Sequence, residues 1–592
     1  MTTKHFFSDT AGVVALGLES VVTRNPHLAL DAPQKVVYQK PHSPSKVSII
    51  SGGGAGHEPA WAGYVGSGML AAAVSGEVFA SPATRQIMAA IEHVPSDAGI
   101  VLCITNYTGD NLHFGLAREK AAGLGYKIGM LRMSEDVGLG RTQTQNTGRR
   151  GLAGNVFVLK LCGSASEKGY AFEDIMKIGQ AVNDNCGTIG SALDFCHIPG
   201  RAHEEHYPPD TFSIAQGIHN EPGLIEVSPI PPADKLVSDL LRYLLDPSDQ
   251  DRAFVKYDTS DEIVLLINNF GGMSNLELEA LTTITTRVLS KEWDITPKRN
   301  FVSCFETSLN APGWSISLLN VSGISKETSI SVQDLVGLLD LDTNAPAWPR
   351  NGYAHAGATS QVNENKSKAS AAASVAGPTV SPSVLDKAIR TACKAVIAAE
   401  PDITKWDIQT GDGDCGEAVE AICQGILKKL DDGLCKTHNG ALFPILDQIG
   451  ESVEDVGGTL GAIIAIFLAS FTSSLRVSFQ KQQFDMTGDV AAGAASEALG
   501  NLKTYTGARI GGRTVMDTLI PFVEAFEQSK DFGRAARAAE EGAKSTEGMS
   551  AKFGRASYMG ESKGDAKAIP MDPGAYAAAV FIKGLADGLG TQ

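Results

Sequence analysis

The chain has 592 residues, 43% of them hydrophobic and 20% charged, so core volume is not limiting and neither a disordered nor a fibrous class fits. A formal net charge of −17 excludes a broad nucleic-acid or anionic-membrane surface, since either needs clustered Lys and Arg. Nine cysteines, scattered from Cys103 to Cys435 without CxxC pairs, read as buried thiols of a reducing compartment, so the expected location is cytoplasmic.

Residues Met1 to Asp9 hold no apolar stretch and no small-residue cleavage pattern, and secretion is not expected. The runs Val47–Ile50, Ile100–Ile104 and Ile263–Ile267 are short, apolar and rich in β-branched side chains, separated by helical patterns. They predict buried strands of α/β layers, with ligands at the loops that follow them.

The first such loop is Ser51-Gly52-Gly53-Gly54-Ala55-Gly56-His57-Glu58-Pro59. It lacks the Lys-Ser/Thr pair of a Walker loop and matches the dinucleotide fingerprint poorly. A turn that only packs closely competes with a small-ligand cradle, and His57 favours the cradle. The second loop, Thr105-Asn106-Tyr107-Thr108-Gly109-Asp110, delivers a carboxylate to the same expected sheet edge. His57 and Asp110 are then a candidate acid/base pair, while a helix N-cap role for Asp110 is equally compatible. The third, Gln216 to Gly223, sets His219 between Gly217 and Gly223, a backbone bent to present a nucleophile. The nearby His203-Glu204-Glu205-His206 lacks the spacing of a helical zinc motif and precedes Pro208-Pro209.

Composition shifts toward Ala, Ser, Asn, Lys, Pro and Gly between Asp342 and Pro382, which marks a linker over residues 341–382 between units 1–340 and 383–592. The second unit has almost no strand pattern. Leu385 to Ala399 and Val490 to Leu502 carry helical spacing, and Leu460 to Phe471 is apolar, too short to span a bilayer, and expected as a core helix.

Within that unit, Asp407-Ile408-Gln409-Thr410-Gly411-Asp412-Gly413-Asp414-Cys415-Gly416 crowds three carboxylates into one glycine-rich loop. Like charges this close repel unless cations lie between them, and oxygen donors without His or Cys partners favour Mg2+ over zinc. The glycines allow backbone N–H groups to approach a polyphosphate. A calcium loop fails because Gly416 stands where the next Asp or Asn belongs; Asp407, Asp412 and Asp414 are the candidate metal ligands.

Taken together, Asn25-Pro26-His27-Leu28, Gly52 to Pro59, Gly76 to Pro82, Asn106 to Asp110, Gly217 to Gly223, Gly411 to Gly416, Gly457-Gly458-Thr459, Gly554 to Tyr558 and Asp572-Pro573-Gly574-Ala575 resemble the ATP-dependent dihydroxyacetone kinases with fused substrate and ATP domains. The resemblance implies an α/β substrate unit of two α/β subdomains, joined by a flexible linker to an all-helical barrel that binds ATP and Mg2+. It implies a covalent hemiaminal between His219 and a triose carbonyl, a substrate loop of Gly54, Ala55, Gly56 and His57, and catalysis by His57 and Asp110. Asp414, Cys415, Gly416, Gly458, Thr459, Arg513, Asp572, Pro573 and Gly574 are the implied nucleotide contacts. A homodimer is implied as well, with neither nucleic acid nor membrane as partner.

Three positions depart from the family pattern. Thr105 stands where Lys is usual, removing a cation beside the substrate hydroxyls while keeping one hydroxyl donor. Leu460 replaces a small hydroxyl residue, and Gly512 an Asp before Arg-Thr. Phosphorylation of dihydroxyacetone therefore competes with a kinase retuned to another small carbonyl compound, with a side activity cyclising FAD, and with a regulatory paralogue that binds without turnover.

Overall fold

The computed structural model describes residues 4–145, 147–201, 206–349, 376–410, 413–454, 456, 458–553 and 569–590. The chain forms two compact units, Met1–Val362 and Asn363–Gln592.

The first unit holds two six-stranded sheets. One contains β1 (Leu28–Asp31), β2 (Val36–Gln39), β3 (Ser48–Ala55), β4 (Ala72–Val78), β5 (Ile100–Thr105) and β6 (Ile128–Met133), in the order β1-β2-β4-β3-β5-β6. The other contains β7 (Cys186–Ala192), β8 (Phe212–Ile214), β9 (Ile225–Val227), β10 (Ile263–Asn269), β11 (Arg299–Ser303) and β12 (Gly313–Asn320), in the order β11-β10-β12-β7-β8-β9. The three expected strands are thus β3, β5 and β10.

Strand alternation decides the layers. Ile49, Val101 and Cys103 face a central core, as do Val264 and Leu266 from the other sheet. Their sequence neighbours point outward: Ile50, Leu102 and Ile104 pack on helices Thr84–His93 and Thr108–Gly123, while Ile263, Leu265 and Ile267 pack on Ala233–Leu245 and Asn275–Trp293. Each fully buried aliphatic side chain contributes about 1.5–3 kcal/mol. Helix Asn155–Glu167 lies in the shared central layer and is buried at every residue from Asn155 to Ser166.

Because β3 runs parallel to both β4 and β5, the chain leaves all three strands at one sheet edge. His57 follows β3, Phe79 follows β4, and Asp110 follows β5, the placement expected of ligand loops in such sheets.

The expected linker is narrower than its composition suggests. Ala345 and Trp348 are buried in the first core, where the Trp348 ring lies 4.9 Å from Phe301, and Asn344 Oδ1 accepts the Ser67 N–H. At the other end Val380 N–H donates to Gly440 O, and Leu442 N–H to Pro378 O. Residues 350–375 lie outside the described residues, as do His203, Glu204 and Glu205.

The second unit is helical, as expected. Pro382–Thr410, Cys415–Asp431, Leu442–Glu454, Gly458–Lys481, Gly488–Tyr505, Met516–Ser529, Phe532–Ser545 and Pro573–Leu589 pack each against the next, and the last returns to the first, closing a barrel. Leu460 to Phe471 proves to be the first half of the 24-residue helix Gly458–Lys481. The apolar side chains from Leu460 to Phe471 pack on two clusters and stay partly exposed, so the expected core helix is only half-buried, while Leu475 further along is buried in a third. By length and composition Thr459–Lys481 is apolar enough to cross a membrane.

Candidate active site

His219 lies in a cluster of rings in the first unit. Its Nε2 is 3.0 Å from His57 Nε2, and its ring makes edge contacts with Tyr107 at 4.5 Å and Phe79 at 5.3 Å. The loop between β8 and β9 turns at Asn220, φ 61°, rather than at Gly217 or Gly223, neither of which has a positive φ. That strained position is fixed by Asn220 Oδ1, which accepts the Cys196 N–H at 2.9 Å, and by its Nδ2, which donates back to Cys196 O at 3.0 Å.

His57 is fully enclosed, and burial, with the neighbouring His219 ring, pushes its pKa down to about 3. It is therefore a neutral imidazole. Its Nδ1–H donates to the Thr307 carbonyl at 2.8 Å, so its Nε2 carries the lone pair. Thr307 follows β11 in the other sheet, and the bond joins the two sheets at the site.

Asp110 is not the N-cap of its helix; that position is Tyr107, and Asp110 sits in the first turn of Thr108–Gly123. Burial lifts its pKa to about 6 against the opposing effects of Ser81 and His219. Its Oδ1 is buried without a hydrogen-bond partner among the described residues. His57 and Asp110 share no bond: the partner of His57 is His219.

Much of the glycine run lies inside a strand. Gly52 to Gly54 belong to β3 itself, and each is required by packing. A Cβ would come within 2.3 Å of Val74 O at Gly52, 2.8 Å of Trp61 Nε1 at Gly53, and 2.9 Å of Ala80 N at Gly54. The amide of Gly56 donates to Glu58 Oε2, and the carbonyls of Ala55 and Gly56 accept from Phe79 and Leu309. These three backbone groups are thus occupied within the protein, and the loop leads directly into His57.

Thr105 ends β5 with its Oγ1 buried and unpaired. Near it, beside Gly151, lies Asn155, whose Nδ2 donates to Glu306 Oε2 at 3.4 Å, while Glu306 Oε1, Asn155 Oδ1 and Glu135 Oε2 have no partner among the described residues. Burial lifts Glu306 to about 8 and Glu135 well above its usual range. Neither glutamate was singled out from sequence, because nothing local distinguishes a buried Glu. Glu221 was also missed as a functional group, although its position two residues after His219 was visible.

In the second unit, Asp407 is buried near the end of the first helix, and its Oδ2 accepts the Cys415 N–H at 3.0 Å. Burial, with Asp407, Asp572 and Asp414 nearby, pushes the Cys415 thiol up to about 12, so these three carboxylates share one locality. Asp412 and Gly411 lie outside the described residues, and among the described residues no three ligand side chains already form a metal cage. Gly416 is needed for packing, since a Cβ there would lie 2.1 Å from Thr404 Oγ1.

Asp572 caps the final helix, its Oδ2 accepting from Ala575 N at 2.8 Å, and burial lifts it to about 6. Arg513, at φ 57° and buried, donates from Nη2 to Pro570 O at 3.1 Å, keeps Nε unpaired, and feels the charges of Asp572 and Asp407. Its loop is held by Asp517, which accepts from Gly511 N at 2.5 Å and Thr514 N at 2.8 Å; this is how the turn forms with Gly512 in place of Asp. A Cβ on Gly574 would approach Leu460 Cδ1 at 3.6 Å and Val515 Cβ at 3.8 Å. The N-termini of helices beginning at Cys415, Gly458, Met516 and Pro573 therefore converge, an arrangement suited to a polyphosphate. Thr459 is exposed there and Leu460 stands beside the Pro573-Gly574 turn. The carboxylates at the same end fit Mg2+, whose charge would relieve their repulsion.

A substrate-type α/β unit and a nucleotide-type helical barrel in one chain define a two-domain phosphotransferase. The first unit matches the Dak1 domain over residues 19–347 and the second the DAK2 domain over residues 409–587. The chain is 40% identical over 598 residues to dihydroxyacetone kinase 1 of Saccharomyces cerevisiae, covering 100% of both. It is 30% identical over 609 residues to the triokinase/FMN cyclase of Mus musculus, again covering 100% of both. The crystal structure of the dihydroxyacetone kinase from C. freundii with AMP-PNP and Mg2+ superposes with a TM-score of 0.63 at 26% identity, covering 99% of this chain and 100% of that one. The chain belongs to the dihydroxyacetone kinase family.

Proposed function

We propose that this protein transfers the γ-phosphoryl group of Mg2+-bound ATP to a terminal hydroxyl of dihydroxyacetone. The observation that carries the reading is the His219–His57 pair beside Asp110, whose Oδ1 is free of partners among the described residues: a nucleophile for the carbonyl and an acceptor for the hydroxyl proton. His219 captures the ketone as a hemiaminal, which a polyol without a carbonyl cannot form. Asp110 takes the proton of the reacting hydroxyl, and the neutral His57 orients it.

Asp407, Asp412 and Asp414 would hold Mg2+, which neutralises charge on the transferred group. Arg513, Gly458, Thr459, Asp572, Pro573 and Gly574 would bind the nucleotide, with Cys415 and Gly416 at the head of a helix that points its N-terminus at phosphate. The protein is proposed to act as a cytoplasmic homodimer; all nine cysteines are unpaired thiols, which suits a reducing compartment.

Thr105 favours one competing reading, a kinase for a different short ketose or aldose, because its lone hydroxyl supplies no charge to the substrate. A third reading, a regulatory paralogue, has less support. A dihydroxyacetone kinase operon co-activator superposes with a TM-score of 0.50 at 27% identity, covering 98% of that chain but only 56% of this one. This chain also carries the helical unit with its acidic loop. ADP release from Mg2+-ATP, measured with dihydroxyacetone, glyceraldehyde and glycerol for the wild type and His219→Ala, tests all three. Turnover that requires both dihydroxyacetone and His219 is expected; turnover with glycerol, or none with any carbonyl acceptor, overturns the proposal.

A further inference from the structure

Resting on the covalent reading above, we infer that Glu221 is a positioning residue for carbonyl capture, which holds His219 as a doubly protonated ring in the free protein and neutralises that ring once it is alkylated. The argument begins with a count of protons. His57 is neutral and its Nδ1–H is committed to the Thr307 carbonyl, which can only accept, so His57 Nε2 has a lone pair. The 3.0 Å contact between the two Nε2 atoms then requires the hydrogen to sit on His219.

The other side of the His219 ring faces Glu221. Nδ1 lies 3.3 Å from Glu221 Oε1, and the His219 backbone N–H donates to Glu221 Oε2 at 2.8 Å. An ionised carboxylate only accepts, so Nδ1 also carries hydrogen. Burial alone would raise Glu221, but the His219 hydrogen bonds and charge, with Arg150 behind, hold it down to about 2.

The surroundings are built for this carboxylate. A Cβ on Gly217 would fall 2.1 Å from Glu221 Oε2 and 2.8 Å from Arg150 Nη1, so the glycine leaves the space both groups use. The Gly217 N–H bonds the Glu221 carbonyl at 3.2 Å. Arg150 is itself fixed by Asp136 Oδ2 and Ala215 O, each at 2.8 Å. Among the described residues His57, Asp110 and Tyr107 also face His219, and the hydrogen bond recorded at Nδ1 is the one to Glu221.

A doubly protonated imidazole has no free lone pair, and His57 supplies the release. The Nε2 proton of His219 passes to His57 Nε2. The freed lone pair forms the N–C bond to the carbonyl carbon as the C=O π bond opens, and the alkoxide so formed takes the proton from His57 Nε2. His57 ends neutral, and one positive charge remains on the alkylated His219 ring against Glu221. Atoms and charge balance with no further reactant.

The test uses the full-length protein without nucleotide. Carbon-13 NMR with dihydroxyacetone labelled at C2 reports capture, as the carbonyl signal gives way to a tetrahedral one. Nitrogen-15 NMR of labelled histidine reports both His219 nitrogens. The expected results are two protonated His219 nitrogens in the free wild type, and capture weakened about ten- to a hundredfold in Glu221→Gln, the fold-change given by losing a hydrogen bond to a charged group. Glu221→Asp, which keeps the charge, retains more capture than Glu221→Gln. A bare His219 nitrogen in the free wild type, a measurement that needs no variant, overturns the inference. So does wild-type capture that Glu221→Gln leaves unchanged. Absence of any tetrahedral carbon in the wild type overturns the covalent reading and the role of Glu221 together, and is thereby distinguishable from failure of the Glu221 role alone.

Discussion

Gly588 in the last helix lies so close to Ala388 in the first helix of the barrel that a Cβ on it would come within 2.4 Å of Ala388 Cα. One turn earlier, a Cβ on Gly584 would lie 2.6 Å from Ala392 Cα. Two small pairs spaced by four residues thus let the closing helix approach the opening one at backbone distance.

Gly588→Val therefore forces backbone apart where no flexible side chain can yield. The expected cost is about 1–3 kcal/mol, typical of overpacking, read as a lower melting temperature. Gly590→Ala, at the C-cap with φ 75° and open space around it, is strained by its backbone instead and is expected to cost less.

Asp110 must be ionised to accept a proton, and burial raises its pKa to about 6. kcat/KM for dihydroxyacetone is expected to rise through about pH 6 and level off above it; the neutral His57, held near 3, adds no step in that range. Asp110→Asn should lower turnover about 10²–10⁴-fold and remove the acid limb. A pH profile of the two proteins checks both statements.

Glu306 is fully buried with one oxygen unpaired, and its pKa is raised to about 8. The folded protein holds a proton there that the unfolded chain loses above about pH 4.5, so stability falls as pH rises from about 4.5 to about 8. Glu306→Gln keeps the shape and removes the titration. Its melting temperature, relative to wild type, should be higher at pH 8 than at pH 5; equal differences at both pH values would contradict the assignment.

Thr105→Lys would bring an ammonium group toward a region where Glu306 Oε1, Glu135 Oε2 and Asn155 Oδ1 all lack donors. Higher kcat/KM for dihydroxyacetone and a narrower choice among short carbonyl acceptors are expected from steady-state kinetics. If wild type and variant share the same acceptor ranking, Thr105 does not set specificity.

Arg513 reaches Asp572 and Asp407 through charge and Pro570 through a hydrogen bond, and its Nε has no partner among the described residues. Arg513→Lys keeps the charge but loses the planar fork. KM for Mg2+-ATP is expected to rise about tenfold or more, the loss of one charge-assisted hydrogen bond. An unchanged KM would place Arg513 outside the nucleotide site.

Much of this protein was readable in its sequence because the signals are local. β-Branched runs such as Ile100–Ile104 fix buried strands, the change to helical spacing after Pro382 fixes an all-helical unit, and glycines beside His219 mark a loop between strands, whereas Asp407, read as part of a glycine loop, lies near the end of a helix. Tertiary structure decided whatever depends on neighbours distant in sequence. Gly52 to Gly54 proved to be spacers inside β3, because Val74, Trp61 and Ala80 crowd them. His57 was paired with His219 rather than Asp110, because Thr307 from the other sheet orients its ring. Trp348 was drawn from the expected linker into the core. Composition and spacing specify what a segment can form; which atom faces which is set only when packing brings remote segments into contact and excludes water from between them.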